Sequence, residues 1–243
     1  AASYLGVAAV WLGGHFGPGF ATGAFSTTYY VKHGAVGVLM PLLAMLVTGG
    51  VMYYMTEYAR SHGTTGYKAF AMSCFGEKGG MIMSILYDVT FLMTLLSAGG
   101  LAVSGQYTIL NVQLGIPIII GAAFTIIVSA LLCLYGSKLL SVSSKYMMYA
   151  IVFVVLLITV LSFACGQYDL AGAFANSTAN AKDPSLFSAI LDGILYGCFQ
   201  STIAFNVMSV ADILEDKAAT KKAIIAGYII TVVLMISLAF MLF

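Results

Sequence analysis

Charge is what this sequence has least of. Its 243 residues include ten basic and nine acidic side chains, 8% in all, where a soluble domain of that length would carry about 25%, roughly 60. So few charges cannot coat a globule of 25.6 kDa. With 61% hydrophobic residues and a mean hydropathy of +1.01, lipid is the main solvent. A soluble enzyme and a disordered chain are excluded. A formal net charge of +1 leaves no basic surface, so nucleic acid is no partner. Paired cysteines are missing too: Cys74, Cys133, Cys165 and Cys198 stand singly, none at C-x-x-C spacing. That excludes a disulfide-built domain and a zinc or redox pair, and leaves them as small apolar fillers. No His/Glu spacing suits a metal, and no nucleophile–base pair is visible, so no enzyme is expected. A basic n-region and an A-x-A cleavage site are also lacking at the start, which does not read as a signal peptide.

Long apolar runs are what the sequence does have. A bilayer core about 30 Å thick needs about 20 apolar helical residues to cross it. Seven segments qualify, at about 3–30, 35–59, 81–106, 117–136, 145–165, 186–213 and 221–243. Every peptide group in lipid needs a partner within its own segment, so these are helices. The alternating segments of a β-barrel are not seen. The fold class is all-α integral membrane, and residues 1–243 form a single transmembrane domain.

Cytoplasmic loops accumulate Lys and Arg. The loops after segments two, four and six hold Arg60, Lys68, Lys78, Lys138, Lys145, Lys217, Lys221 and Lys222. The loops after segments one and five hold only Lys32 and Lys182. The even loops are therefore cytoplasmic and so is the N-terminus, in a cell (plasma or inner) membrane. Within 61–80, Tyr67–Phe75 reads as a short interfacial helix between turns. Residues 166–185 read as a long, polar external loop. It contains Asn176-Ser177-Thr178, which spells a glycosylation site. The chain begins at Ala1 and stops in an apolar run, so sequence is expected to continue past Phe243.

Two segments are unusual. Segment one contains Gly13-Gly14-His15-Phe16-Gly17-Pro18-Gly19-Phe20-Ala21-Thr22-Gly23 near mid-membrane. Each Gly costs about 1 kcal/mol against Ala in a helix and Pro about 3. Pro18 also removes a donor and turns Gly17 away from helical geometry. Freed backbone at that depth must be buried in protein or line a polar cavity. A small-xxx-small packing face would fit Gly19 and Gly23 but not Gly17-Pro18-Gly19. Segment six carries Phe199-Gln200-Ser201-Thr202 and Phe205-Asn206, a polar cluster in mid-span that also suits interhelical hydrogen bonding. The two segments run in opposite directions, five helices apart. Interrupted spans in oppositely oriented repeats point to the binding site of a secondary transporter. Half-helix N-termini suit an anion and C-terminal carbonyls a cation.

The run Gly17-Pro18-Gly19-Phe20-Ala21-Thr22-Gly23, followed by His33-Gly34 and Met40-Pro41, resembles the YkvI family of membrane proteins. That family falls in the amino acid–polyamine–organocation superfamily, with the LeuT-type fold. The likeness extends through Tyr58-Ala59-Arg60 and Leu114-Gly115-Ile116-Pro117. It implies a LeuT-like inverted-repeat bundle with discontinuous helices 1 and 6. Helices 1–5 would form the first repeat, and helices 6–7 would begin a second that is truncated after helix 7. Substrate would lie between segments one, three, six and eight. Where the family tends to place a polar or acidic residue after the A-[ST]-G triplet, this chain has Ala24 and Phe25.

Ionisable groups inside a span are functional candidates. Asp88 is a candidate proton carrier or cation ligand, or else a structural partner. His15, beside the break, is a candidate ion-coupling group or a hydrogen-bonded helix end. Glu57 and Arg60 are expected to snorkel to the interface. The expectation is a secondary active transporter of a small solute, an amino acid or related carboxylate, coupled to Na+ or H+ and needing no other cofactor. Backbone around Gly17, Gly19, Phe20, Ala21, Thr22 and Gly23 would hold the carboxylate. Phe199, Gln200, Ser201, Thr202 and Asn206 would line the other wall, with Phe20 and Phe205 as gates or stacking surfaces. Its partners would be lipid, the solute and, as an open option, a second copy in a homo-oligomer. The alternatives are an ion channel and a non-transporting membrane receptor or scaffold.

Overall fold

The computed structural model describes residues 3–134, 136–165 and 169–242, and among these there is no strand. Segment one is three helices, α1 (Ser3–His15), α2 (Pro18–Ala21) and α3 (Ala24–Tyr29). A 3-10 stretch, Val31–Leu39, leads into α4 (Met40–His62), with Pro41 in its first turn where a missing N–H costs nothing. α5 (Tyr67–Gln106) is two helices divided at Gly76, so the short helix over 67–75 stands and the next limb begins earlier than residue 81. A π-helix, Tyr107–Gln113, and α6 (Ile118–Leu134) follow. α7 (Gly136–Ala164), α8 (Leu170–Ala179), α9 (Leu186–Gln200), α10 (Ala204–Met208) and α11 (Lys217–Leu242) complete the order.

Among the described residues, four stretches are long and apolar enough to cross a membrane: Val31–His62, Tyr67–Gln113, Leu186–Met208 and Lys217–Leu242. The chain is a helical integral membrane protein. Leu96 and Ile119 are 69% and 74% exposed, and apolar side chains cover the outer faces of α5, α6 and α7. Water would not tolerate such a surface; lipid does.

Two loop expectations need correction. Lys138 and Lys145 fall inside α7, because helical backbone begins at Gly136, and their side chains lie outside the described residues. Residues 166–185 are not simply a polar loop: α8 occupies half of them and packs on the 3-10 stretch. Gly34 permits that contact, since a Cβ there would sit 2.7 Å from Ser177 O. Asn176 is thereby on a helix rather than in a flexible loop.

The core lies among α1, α4, α9 and α11, where Trp11, Tyr30, Met45, Met52, Tyr196 and Met235 are buried. Lipid tails are as apolar as Leu, so close packing rather than transfer from water holds such helices together. Small residues supply the approach. Gly197 brings α9 so near α4 that the Thr48 hydroxyl shares its hydrogen between Ala44 O and Gly197 O, both at 3.0 Å. The loops after segments one and five meet at one end, with Asp183 N donating to Lys32 O at 3.1 Å. Segments two and seven meet at the other, where Thr220 Oγ1 donates to Glu57 Oε2 at 2.8 Å. Glu57 also takes Arg60 Nε and Nη2 at 3.0 and 2.6 Å, so this pair is tied down locally rather than merely reaching for solvent.

Candidate functional site

The break in segment one is real. Phe16 N still donates to Leu12 O at 3.0 Å, but the α pattern ends there. Pro18 opens the single turn of α2, and the bonds Phe20 N to Gly17 O and Gly23 N to Phe20 O span only three residues. Gly23 then takes φ +71°, a left-handed conformation that a Cβ would strain, and α3 restarts behind it.

Segment six differs from expectation. Gln200, Ser201, Ile203 and Ala204 all keep right-handed helical dihedrals, so the span is not unwound. It tightens into one 3-10 turn, Ser201–Ile203, between α9 and α10. The hydroxyls explain this. Ser201 Oγ donates to Gly197 O at 2.7 Å and Thr202 Oγ1 to Phe199 O at 2.9 Å, competing with backbone donors for helix carbonyls.

A cavity of about 120 Å³ lies where these irregularities face each other. Its walls are Gly14, His15, Gly17 and Gly19 from the first break, with Phe25 from α3. Thr94, Ser97, Ala98 and Leu101 come from α5, and Phe199, Gln200, Thr202 and Ile203 from segment six. Few polar groups in a largely apolar hollow is the usual make-up of a small-molecule site. Among the described residues, none of the lining side chains is Asp, Glu, Lys or Arg.

Of the residues anticipated from sequence, His15, Gly17, Gly19, Phe199, Gln200 and Thr202 meet here. The others do not line it. Phe20 is buried edge-on against Phe16, with ring centroids 4.3 Å apart. Thr22 lies near Gly105, and a Cβ on Gly23 would touch Leu242. Ser201 is spent on its own helix, and Asn206 is exposed. The side chain of Ala21 lies outside the described residues. Phe205 packs on Tyr87 at 4.0 Å, in a separate aromatic group with Tyr67 and Phe70. Asp88 belongs there as well: Tyr67 Oη donates to its Oδ1 at 2.6 Å.

The particular residues of α5 carried no signal, because Thr94 and Ser97 are ordinary in an apolar helix and only folding brings them to the break. A second group has no signature in the sequence. Asp192 Oδ2 holds Lys32 Nζ at 2.6 Å and His33 Nε2 at 2.9 Å, while His33 Nδ1 lies 2.7 Å from Asp183 O. These four residues join the end of segment one, the 180–185 turn and α9. Lys32 and His33 are 150 or more positions from their partners, so sequence spacing could not pair them.

No family model matches the chain, and no solved structure matches it. It is similar to a protein of Bacillus subtilis (strain 168) described as "Uncharacterized membrane protein YkvI". The two are 25% identical over 235 residues, covering 94% of this chain and 63% of that protein. The chain thus spans less than two thirds of that relative's length. The likeness supports a shared membrane-protein character and agrees with the apolar helices.

Proposed function

We propose that the protein is a secondary active transporter of a small solute, an amino acid or related carboxylate, coupled to Na+ or H+. One observation carries this: a partly open hollow beside the place where one span breaks and another tightens. A membrane helix gives up regular hydrogen bonding only where other groups or a ligand compensate. The LeuT-type inverted repeat, with segments one to five followed by six and seven, belongs to the same proposal. So does a cell-membrane location with the N-terminus inside, which rests on the cation bias of the loops.

In this reading the solute rests between α1–α2, α5 and the 3-10 turn. Phe205 against Tyr87 closes one side, and the Lys32–His33–Asp192 group holds the other. Asp88 is the candidate coupling group on the Phe205 side, about 9 Å along α5 from Thr94 at 1.5 Å per residue. The apolar outer faces of α5–α7 are open to lipid or to a second copy.

The test is reconstitution in proteoliposomes with radiolabelled amino acids and imposed Na+ or proton gradients. Saturable accumulation that collapses with the gradient is expected. Unsaturable flux indifferent to the gradient would instead mark a channel. Binding without accumulation would mark a receptor.

A further inference from the structure

α4 packs beside α11, and toward the end where α4 finishes and α11 begins the two leave an open groove of about 720 Å³. Small-molecule clefts span about 300–1,000 Å³. Gly50 and Tyr53 form the α4 wall, and Lys217, Lys221, Ile224 and Ile225 the α11 wall. A Cβ on Gly50 would meet nothing within 4 Å, so its missing side chain leaves room that no neighbour fills. Lys217 opens a span apolar enough to cross a membrane, so both exposed lysines stand where α11 enters the bilayer. Ile225 lies about 12 Å further in at 1.5 Å per residue. The groove is charged at its mouth and apolar at depth.

The charges at that mouth break two local rules. Lys217 and Lys221 are one turn apart on one helix face, where like charges repel. They also occupy the first two turns of α11, the positive end of its dipole, where acidic side chains are favoured. The carboxylates nearby are already engaged. Asp216 Oδ1 accepts from Ala219 N at 2.6 Å. Glu57, close enough for Lys217 to act on its charge, is taken by Arg60 and Thr220. Among the described residues, neither lysine has a carboxylate oxygen within 4.0 Å; the ion pairs there are those of Lys32, His33 and Arg60. The half-buried Tyr53 makes no hydrogen bond to a described residue through its hydroxyl. Two ammoniums and a phenol thus line the groove with their hydrogens unspent, and an anion between them would offset both the repulsion and the dipole.

We propose that this groove is a binding site for an anionic phospholipid. The phosphodiester sits between the Lys217 and Lys221 ammoniums, and the Tyr53 hydroxyl donates to a headgroup oxygen. An acyl chain runs over Gly50, Ile224 and Ile225. A soluble phosphate would match the lysines alone, whereas a lipid matches both halves of the groove. Basic pockets between membrane helices hold anionic headgroups in this way. The bound lipid bridges α4 and α11 where Glu57 and Thr220 already join them. This goes beyond the transport reading and stands whether or not the hollow at the first break carries a solute.

The experiment is microscale thermophoresis of the delipidated full-length protein in neutral detergent. The probes are dioctanoyl phosphatidylglycerol, dioctanoyl phosphatidylcholine and inorganic phosphate. Phosphatidylglycerol should saturate a site, with phosphatidylcholine at least about tenfold weaker and phosphate unable to displace it. Lys217→Gln with Lys221→Gln should weaken phosphatidylglycerol roughly ten- to hundredfold. G50L keeps both charges and fills the floor, so it should weaken binding at least about tenfold. If G50L does not fold, I225W fills the groove from the other wall, at a position 46% exposed. K222Q removes a neighbouring charge that does not line the groove, and should change binding by less than about twofold. Phosphatidylcholine binding as tightly as phosphatidylglycerol would overturn the proposal, as would binding indifferent to the lysine pair or to the filled floor. A loss in K222Q as large as in the double variant would mean diffuse attraction and overturn it too. Displacement by millimolar phosphate would assign the lysines to a soluble anion instead.

Discussion

Gly19→Ala probes whether the hollow beside the first break is the working space of the protein. A Cβ built on Gly19 lies 2.2 Å from Phe25 Cε2 and 2.4 Å from its Cζ. Ordinary contact begins near 3.4 Å, so the ring edge must retreat by about 1 Å. Tyr29, Tyr196 and Phe199 stand against the ring with centroids at 6.4, 5.8 and 5.4 Å. The open side is the cavity. A methyl-sized intrusion takes part of the cavity of about 120 Å³, and a displaced ring takes more. Overpacking of this kind costs about 1–3 kcal/mol, or roughly ten- to hundredfold in any equilibrium that needs the space. The readout is methanethiosulfonate labelling of Thr94→Cys, in a background where Cys74, Cys133, Cys165 and Cys198 are replaced by serine. G19A should slow labelling at least about tenfold, and F25A added to G19A should restore it, because the colliding ring is gone. Labelling unchanged by G19A, or a double variant as slow as G19A alone, would refute the steric argument.

Gly197→Ala should destabilise the bundle by about 2–4 kcal/mol, combining overpacking with a lost hydrogen bond. Its Cβ would lie 2.6 Å from Ala44 O and 2.9 Å from Val47 Cβ, and would push aside the carbonyl that Thr48 uses. Thermal unfolding in detergent measures it against Gly50→Ala, which meets nothing within 4 Å and should be neutral or better. Asp192→Asn should cost about 1–3 kcal/mol and speed proteolysis at 180–185, since the group that Lys32 and His33 share loses its negative charge. The 30% exposure of Lys32 keeps the figure below that of a fully buried pair. Asp183 is held below the usual carboxylate range, chiefly by the Ser188 hydroxyl that donates to it. A depressed carboxylate stabilises above its ordinary range, and that contribution disappears as pH falls below about 4. Acid-side melting should therefore be flatter in S188A than in the wild type.

Composition made the membrane legible, because 8% charge leaves no other solvent. The first break was legible for a similar reason: Gly17-Pro18-Gly19 resists a helix in any surroundings. The short helix at 67–75 showed through the glycines that bound it. Segment six was harder. Ser201 and Thr202 were visible, but whether such hydroxyls unwind a helix or merely tighten it depends on which carbonyls they reach. The expected gates parted company with the cavity because Phe20 turned to Phe16 and Phe205 to Tyr87, a choice made by neighbouring rings. α8 was hidden because its polar, small-residue composition resembles a loop until it docks on Gly34.

By itself, then, the sequence determined solvent, secondary structure class and the break at Gly17-Pro18-Gly19. Those properties are additive along the chain: hydropathy accumulates over a span, and Gly and Pro act on their own dihedrals. Only tertiary structure decided that Thr94 and Ser97 face Gly17 and Gly19, that Lys32 and His33 find Asp192, and that His15 is left with two unused nitrogens beside a hollow. Each of those depends on which helices pack together, and the packing energy in lipid comes from close contacts between residues far apart in the chain.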